Sequence, residues 1–301
     1  MNEVAEQIII GSRGSDLALW QAHFVKSKLQ ELGCSVTIKV IKTRGDQIQN
    51  LSFEKMEGKG FFTKEIEDAL LSNEIDLAIH SYKDLETAEV PGLKIAAVSY
   101  RETPTDCLLI NKSAVDESHY LSLKKNATVG TSSARRKAQL KAFRKDIQLM
   151  DLRGNVPTRI NKLREGNFDA IMLASAGLKR LEIDLSEFYV KHLDPTEFIP
   201  APAQGVLGLQ TRTVDEKTNK IVVQLNHSDV LETINTEREV LKLYSGGCQL
   251  PLGVYCIKEG AQFNIWGALG HDDGTVSRAH LQANSTTGLA EELINSLKKK
   301  T

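Results

Sequence analysis

Apolar positions in the first two-thirds of the chain alternate between two patterns. Ile8-Ile9-Ile10 is a continuous run suited to a buried strand. After the loop Gly11-Ser12-Arg13-Gly14-Ser15-Asp16, the residues Ala18, Ala22, Val25, Leu29 and Leu32 recur at helical spacing, and Gly33 stops the helix. Val36–Ile41 predicts the next strand, and the polar, Gly- and Lys-rich stretch 45–60 predicts a mobile loop. A helix over 62–72 and strands at 77–80 and 95–98 follow. A second series begins after Pro104, with strands at 108–110, 127–129, 147–151 and 169–173, and helices at 133–143, 156–165 and 176–181. Strands separated by helices of this size predict βαβ units in mainly parallel sheets, hence two α/β lobes with a cleft between them.

The pattern changes near the end. Helices at 217–225 and 229–243 precede Gly246-Gly247-Cys248, then strands at 252–258, 262–269 and 275–282 with Gly260 and Asp272-Asp273-Gly274 as turns. A last helix, 288–299, ends in lysines, which suit a helix C-terminus. This predicts a small α+β domain.

At 301 residues the chain exceeds one ordinary core. With 38 Lys+Arg against 39 Asp+Glu, it lacks the bulk positive charge of a typical nucleic-acid binder. No apolar run reaches the ~18–20 residues of a membrane span. The acidic N-terminus does not resemble a signal peptide, so a cytoplasmic location is expected. The four cysteines form no C-x-x-C pair and read as free thiols; the scattered histidines give no metal-binding spacing, so no metal is expected.

Arginine is uneven: seven of thirteen lie between 135 and 180. Arg135 and Arg136 follow Gly130-Thr131-Ser132-Ser133 where a strand turns into a helix, and Arg153 and Arg159 repeat the arrangement one βα unit later. Arg13 holds the equivalent place in the first lobe. Helix N-termini attract anions, and cations there oppose the helix dipole unless an anion offsets them. Arginine matches carboxylates bidentately, so the cluster points to a ligand with several carboxylates or phosphates. Arg144 and Arg164 read instead as solvated surface charge. Two further features are ambiguous on their own. Asp84 beside Lys83, after strand 77–80, is either an acid/base group or a surface ion pair. Cys248 is either a loop-borne nucleophile or an inert thiol.

Taken together, Ser-Arg-Gly-Ser-Asp-Leu-Ala-Leu-Trp-Gln-Ala (12–22), Thr-Arg-Gly-Asp (43–46), Gly-Lys-Gly-Phe-Phe-Thr-Lys-Glu (58–65), His-Ser-Tyr-Lys-Asp-Leu (80–85), Gly-Thr-Ser-Ser-Ala-Arg-Arg (130–136), Leu-Arg-Gly-Asn-Val-Pro-Thr-Arg (152–159), Ala-Gly-Leu-Lys-Arg-Leu (176–181), Pro-Ala-Pro-Ala-Gln-Gly (200–205) and Gly-Gly-Cys-Gln-Leu-Pro-Leu-Gly (246–253) resemble the hydroxymethylbilane synthase, or porphobilinogen deaminase, family. Their order and spacing carry the resemblance over nearly the whole chain.

The resemblance implies an α/β fold of two periplasmic-binding-protein-like lobes plus a small α+β C-terminal domain. The first lobe would be 1–101 with 200–218, the second 102–199, and the cofactor-attachment domain 219–301. The implied reaction condenses four porphobilinogen molecules head to tail with loss of ammonia, then releases the linear tetrapyrrole by hydrolysis. A dipyrromethane cofactor would be held by thioether to Cys248. Asp84 would be the acid/base. Ser81, Lys83, Asp84, Thr131, Ser132, Ser133, Arg135, Arg136, Arg153 and Gly154 would hold the cofactor. Arg13, Ser15, Gln21, Arg153, Asn155, Arg159 and Arg180 would hold substrate, with Lys55 and Lys59 on a lid. A monomer acting on porphobilinogen, with neither nucleic acid nor membrane as partner, is expected. The chain departs from the family pattern at Tyr82 (usually Met), Glu86 (often Pro), Pro157 (usually Gly), Ala203 (often Gly) and Gln210 (often Glu). The alternative is a two-lobed solute-binding module for a polycarboxylate, which would leave Asp84 and Cys248 without a task.

Overall fold

The computed structural model describes residues 6–47, 63–244 and 250–299. In chain order the elements begin β1 (Gln7–Ser12), α1 (Asp16–Glu31), β2 (Ser35–Val40), α2 (Arg44–Gln47), α3 (Lys64–Leu71), β3 (Leu77–Ser81) and β4 (Leu93–Val98). Next come β5 (Asp106–Asn111), β6 (Thr128–Gly130), α4 (Ala134–Phe143), β7 (Gln148–Met150), α5 (Val156–Arg164), β8 (Ala170–Ala174), α6 (Ser175–Leu181) and β9 (Phe188–His192). The chain closes with β10 (Leu207–Arg212), α7 (Glu216–Val222), α8 (Ser228–Leu243), β11 (Leu252–Glu259), β12 (Gln262–Gly270), β13 (Val276–Ala283) and α9 (Leu289–Lys298). Of the expected loop 45–60, residues 48–60 lie outside the described residues.

The chain divides into two compact units, Met1–Arg101 with Val206–Leu231 and Glu102–Gly205 with Glu232–Thr301. The first unit holds a five-stranded sheet of order β2-β1-β3-β10-β4. Its β1, β2 and β3 run parallel, whereas β10 is antiparallel to both its neighbours. The second unit repeats this plan as β7-β6-β8-β5-β9, with β5 antiparallel to β8 and β9. The mainly parallel sheets expected from the sequence are therefore corrected to mixed ones. One antiparallel strand entering each sheet leaves no trace in hydrophobic periodicity, because a buried strand reads alike in either direction.

Each five-stranded sheet is covered on both faces. In the first unit α1 buries Ala22, Val25 and Leu29 against Ile8, Ile10 and Leu77. On the other face α3 buries Ile66 and Leu70 against Ile75 and Ala78. Each fully buried Leu or Ile adds roughly 1.5–3 kcal/mol. Leu32, expected on the buried face of α1, is 42% exposed, because the helix has already ended there, and Gly33 follows at φ +84°.

Within the second unit, β11-β12-β13 form an antiparallel sheet with their own core, closed by Val240 of α8 and Leu293 and Leu297 of α9. Buried Glu237 ties this part to the preceding segment, since its carboxylate accepts Ala203 N and Cys256 N, both at 2.7 Å. Ala203 holds a left-handed φ of +62°, which explains why glycine suits that place. Gly205 is needed outright: at φ +92°, a Cβ there would lie 2.2 Å from Glu102 O. Among the described residues no helix is long and apolar enough to cross a membrane.

Candidate functional site

Two edges, one in each unit, gather the residues that the sequence singles out. In the first unit β1 and β3 are parallel, so Arg13 and Ser15 after β1 and the turn Tyr82–Asp84 after β3 lie at the same, C-terminal edge of the sheet. Ligands of open α/β sheets bind beyond such edges. Ser12 fixes the first loop, donating Oγ to Arg13 O and Ala18 O, each at 3.1 Å. Ser15 starts α1 with an extended backbone and no side-chain cap bond. Buried Gln21 donates Nε2 to Ser81 Oγ at 2.9 Å, which joins α1 to the end of β3. In the turn itself Tyr82 is buried, Lys83 half-buried and Asp84 exposed.

Beside this turn a line of polar groups runs from buried His80 and Gln210 to half-buried Glu67. His80 Nε2 is 3.0 Å from Gln210 Oε1, and Gln210 Nε2 donates to Glu67 Oε1 at 3.0 Å. Burial pushes the His80 imidazole down to about 4, and burial likewise raises the Glu67 carboxyl. The unfolded chain, with histidine near 6.5, therefore binds a proton that the folded chain refuses. Stability from neutral His80 is complete above about pH 6.5 and falls progressively toward pH 4, by up to roughly 3 kcal/mol. Melting temperature should drop over that window, and His80→Asn should flatten the slope. An unchanged slope in the variant would assign the loss to another group.

In the second unit three βα junctions share one edge, because β6, β7 and β8 are mutually parallel. At the first, Ser133 Oγ accepts Arg136 N at 3.4 Å, Thr131 Oγ1 accepts Ser133 N at 3.3 Å, and Ser132 Oγ exchanges bonds of 3.0 Å with Leu152 N and O. At the second, Asn155 caps α5 by accepting Thr158 N at 2.9 Å, with Pro157 in the first turn, where its fixed φ fits. Gly154, at φ +111°, accepts Arg159 Nε at 2.7 Å. Arg153 and Arg159 are half-buried and Asn155 exposed on this edge.

Arg135 and Arg136 are buried and turn onto Asp106, the fully buried first residue of β5. Arg135 Nη1 donates to Asp106 Oδ2 at 2.7 Å and to Ile199 O at 2.8 Å. Arg136 reaches Asp106 Oδ1 through Nη2 at 2.7 Å and Nε at 3.2 Å. Gln204 Nε2 adds 3.0 Å to the same oxygen. Burial alone would raise the Asp106 carboxyl, but the two guanidinium charges outweigh it and hold it well below the usual carboxylate range. Two cations on one carboxylate leave one positive charge in surplus, and a buried surplus charge is costly unless an anion completes it.

Arg180 is buried on α6 and donates Nη2 to Gly205 O at 2.7 Å, at the seam with Glu102, whose N–H reaches the same oxygen. Arg144, expected as solvated charge, is corrected. It is buried and donates to Tyr120 O, Leu123 O, Lys124 O and both Asp146 oxygens, clamping the loop before β6. Arg164 is half-exposed and pairs with Glu187 on the surface. Cys248, Lys55 and Lys59 lie outside the described residues.

Sequence reading missed Asp106, Gln139, Gln204, Glu67 and Glu237. Asp106 had a usable signal: a carboxylate that opens the apolar run Asp-Cys-Leu-Leu-Ile must be paired if the run is buried. Gln139, whose amide both donates to Ile199 O at 2.8 Å and accepts Ile199 N at 2.9 Å, had none.

The family model described as "Porphobilinogen deaminase, dipyromethane cofactor binding domain" matches residues 8–220. The porphobilinogen deaminase of Helicobacter hepaticus is 43% identical over 89% of this chain and 82% of its own length. That of Chlorobium luteolum is 42% identical over 90% and 85%, and that of Syntrophomonas wolfei 44% over 88% and 85%. Among solved structures, the probable amino-acid ABC transporter extracellular-binding protein ytmK of Bacillus subtilis is 12% identical with a TM-score of 0.44, over 80% of this chain and 97% of that one.

Proposed function

The chain belongs to the porphobilinogen deaminase family, and on that premise we propose how its residues divide the work of hydroxymethylbilane synthesis. The reaction joins four porphobilinogen molecules head to tail, loses one ammonia per unit, and ends in hydrolytic release of the linear tetrapyrrole. The family's dipyrromethane cofactor supplies the covalent starting point to which the first pyrrole is joined. We assign its thioether to Cys248.

The observation that carries the reading is the surplus positive charge of the Arg135–Asp106–Arg136 group at the foot of α4. The cofactor and every pyrrole added to it are polycarboxylates. The buried surplus charge at the start of α4 fits such a group. Arg135 and Arg136, with Thr131, Ser132, Ser133, Arg153 and Gly154, would hold cofactor carboxylates, and Ser81 and Lys83 would add contacts. Arg13, Ser15, Gln21, Asn155, Arg159 and Arg180 would orient acetate and propionate groups of the substrate, and Lys55 and Lys59 would cover it. Arg180 would do so from a guanidinium already fixed on Gly205 O.

Asp84 would act on the reacting pyrrole. Departure of ammonia leaves a cationic methylene-pyrrole. A carboxylate pairs with the substrate's departing ammonium group, which leaves as ammonia, stabilises the cation that remains, and later takes the pyrrole proton displaced by coupling. The near-balance of charge over the chain, 38 basic against 39 acidic residues, supports a small-molecule substrate with no nucleic-acid partner. We read the protein as a cytoplasmic monomer.

Arg135→Lys keeps the charge but loses the planar guanidinium whose Nη1 donates to both Asp106 Oδ2 and Ile199 O. It should reduce cofactor occupancy, read by intact mass, and reduce turnover of porphobilinogen at least tenfold. Arg164→Lys, on the exposed pair with Glu187, should change neither. Equal behaviour of the two variants would dismiss the assignment.

A further inference from the structure

Strand β10 holds the end of β3 at three successive places. Gly208 pairs with His80 in the ladder, Val206 O accepts Tyr82 N at 3.0 Å, and the Tyr82 ring lies over Gly208, where a Cβ would come within 2.9 Å of it. One step further along β10, Gln210 takes the His80 imidazole from the diagonal position. Against β4 the register shifts between Leu209 and Gln210, so that Ala96 is passed over. Bulges of this kind re-aim side chains beside functional sites.

The polarity of the Gln210 amide gives the line a direction. Its Nε2 donates to Glu67, so Oε1 is left for His80, and His80 must present Nε2–H. The reverse orientation would set the amide oxygen against the Glu67 carboxylate. We propose that Gln210 is a positioning residue for the acid/base turn: by fixing the His80 ring as its neutral Nε2–H tautomer between α3 and β10, it holds the Tyr82–Asp84 turn at one height above the sheet. Gln210 touches no reacting atom. It acts through His80 and β3 on Asp84, and so rests on the reading of Asp84 as the acid/base. The charged groups on this side are Glu67 on α3 and, acting on it, Asp68 and Glu86.

A purely apolar filler could pack the space between α3 and β10 without constraining the ring. Gln210→Leu therefore keeps the volume and removes the constraint. Gln210→Glu keeps the acceptor for His80 but cannot donate to Glu67, and its carboxylate favours the imidazolium. The test uses cofactor-loaded protein with its load confirmed by intact mass, ¹⁵N-labelled at histidine, with the His80 signal assigned by its loss in His80→Asn.

In the unsubstituted protein His80 should show the neutral Nε2–H pattern from about pH 5.5 to 8, below and above the ordinary histidine value of ~6.5. Gln210→Leu should lower kcat roughly ten- to a hundredfold, the scale expected of a small misplacement, while KM stays within about twofold. Gln210→Glu should bring His80 into titration within that pH range, with kcat following the same midpoint. An Nδ1–H tautomer, titration of His80 near 6.5 in the unsubstituted protein, or an unchanged kcat in folded, loaded Gln210→Leu would overturn the proposal. If Gln210→Leu does not fold, the unsubstituted spectrum and Gln210→Glu decide. Should Asp84→Asn retain the full rate, the reading of Asp84 fails, whereas the His80 tautomer reports on the relay independently.

Discussion

Protein carrying Cys248→Ser should purify folded, lack the dipyrromethane mass and turn over no porphobilinogen. The other three cysteines are poor candidates for a thioether. Cys34, Cys107 and Cys256 are buried thiols. Burial raises the Cys34 thiol and pushes the Cys107 thiol up to about 12, so neither supplies thiolate near neutral pH. Serine keeps the size of Cys248 and removes the sulfur nucleophile. The variant should also melt lower than cofactor-loaded protein, because a group bound only to the folded state stabilises it. Intact mass on freshly purified protein is the primary measurement, with Cys34→Ser as the control that keeps the adduct. A full cofactor mass on Cys248→Ser would move the attachment elsewhere.

The second large effect is expected at Asp84. Its place after β3, in a turn pinned by Gln21–Ser81 on one side and β10 on the other, gives an exposed carboxylate on an anchored turn. Asp84→Asn keeps shape and some hydrogen bonding but removes the charge that opposes the methylene-pyrrole cation. Loss of one pre-organised electrostatic contact costs roughly 10²–10³ in turnover. Asp84→Glu keeps the charge one methylene away and should retain more activity, with enzyme-bound chain lengths accumulating as a ladder in the mass spectrum. Both variants should keep their cofactor and their melting temperature. Equal, near-native rates for Asn and Glu would leave Asp84 as a partner of Lys83 alone.

Local elements of the fold were legible where periodicity was strong. The buried face Ala22, Val25 and Leu29, the stop at Gly33, and the βα junctions at Ser133 and Asn155 follow directly from spacing and capping residues. What periodicity could not show was the partner of each strand. Leu-Gly-Leu-Gln-Thr-Arg at β10 carries a glycine and no flanking helix of the βαβ type, yet it is fully internal to its sheet. Only the family resemblance placed a returning segment there. The site was legible in its arginines but not in their environment. Spacing put Arg135 and Arg136 at a helix start, while the carboxylate that orients them comes from Asp106, some thirty residues earlier on β5, which β8 separates from β6 in the sheet. Arg144 was misjudged for the same reason: a terminal arginine of a helix looks solvated until the loop carbonyls of Tyr120, Leu123 and Lys124 close over it.

The interior place of β10 also bears on how the chain is made. As the polypeptide leaves the ribosome, β1 to β4 emerge without the strand that lies between β3 and β4, so β2-β1-β3 and β4 have no ladder to join them. The strand that closes the gap begins at Leu207, more than a hundred residues after β4 ends at Val98. At about 5–20 residues per second, the nascent segment up to β4 waits on the order of 5–20 s with Ile79 and Ala97 unpaired on their β10 sides. Strands β5 to β9 lie within one continuous stretch, 106–192, and can close first. The N-terminal residues thus complete their sheet after the middle ones, and a translation pause before Leu207 would hold open two unpaired strand edges of the kind that recruit chaperones or aggregate.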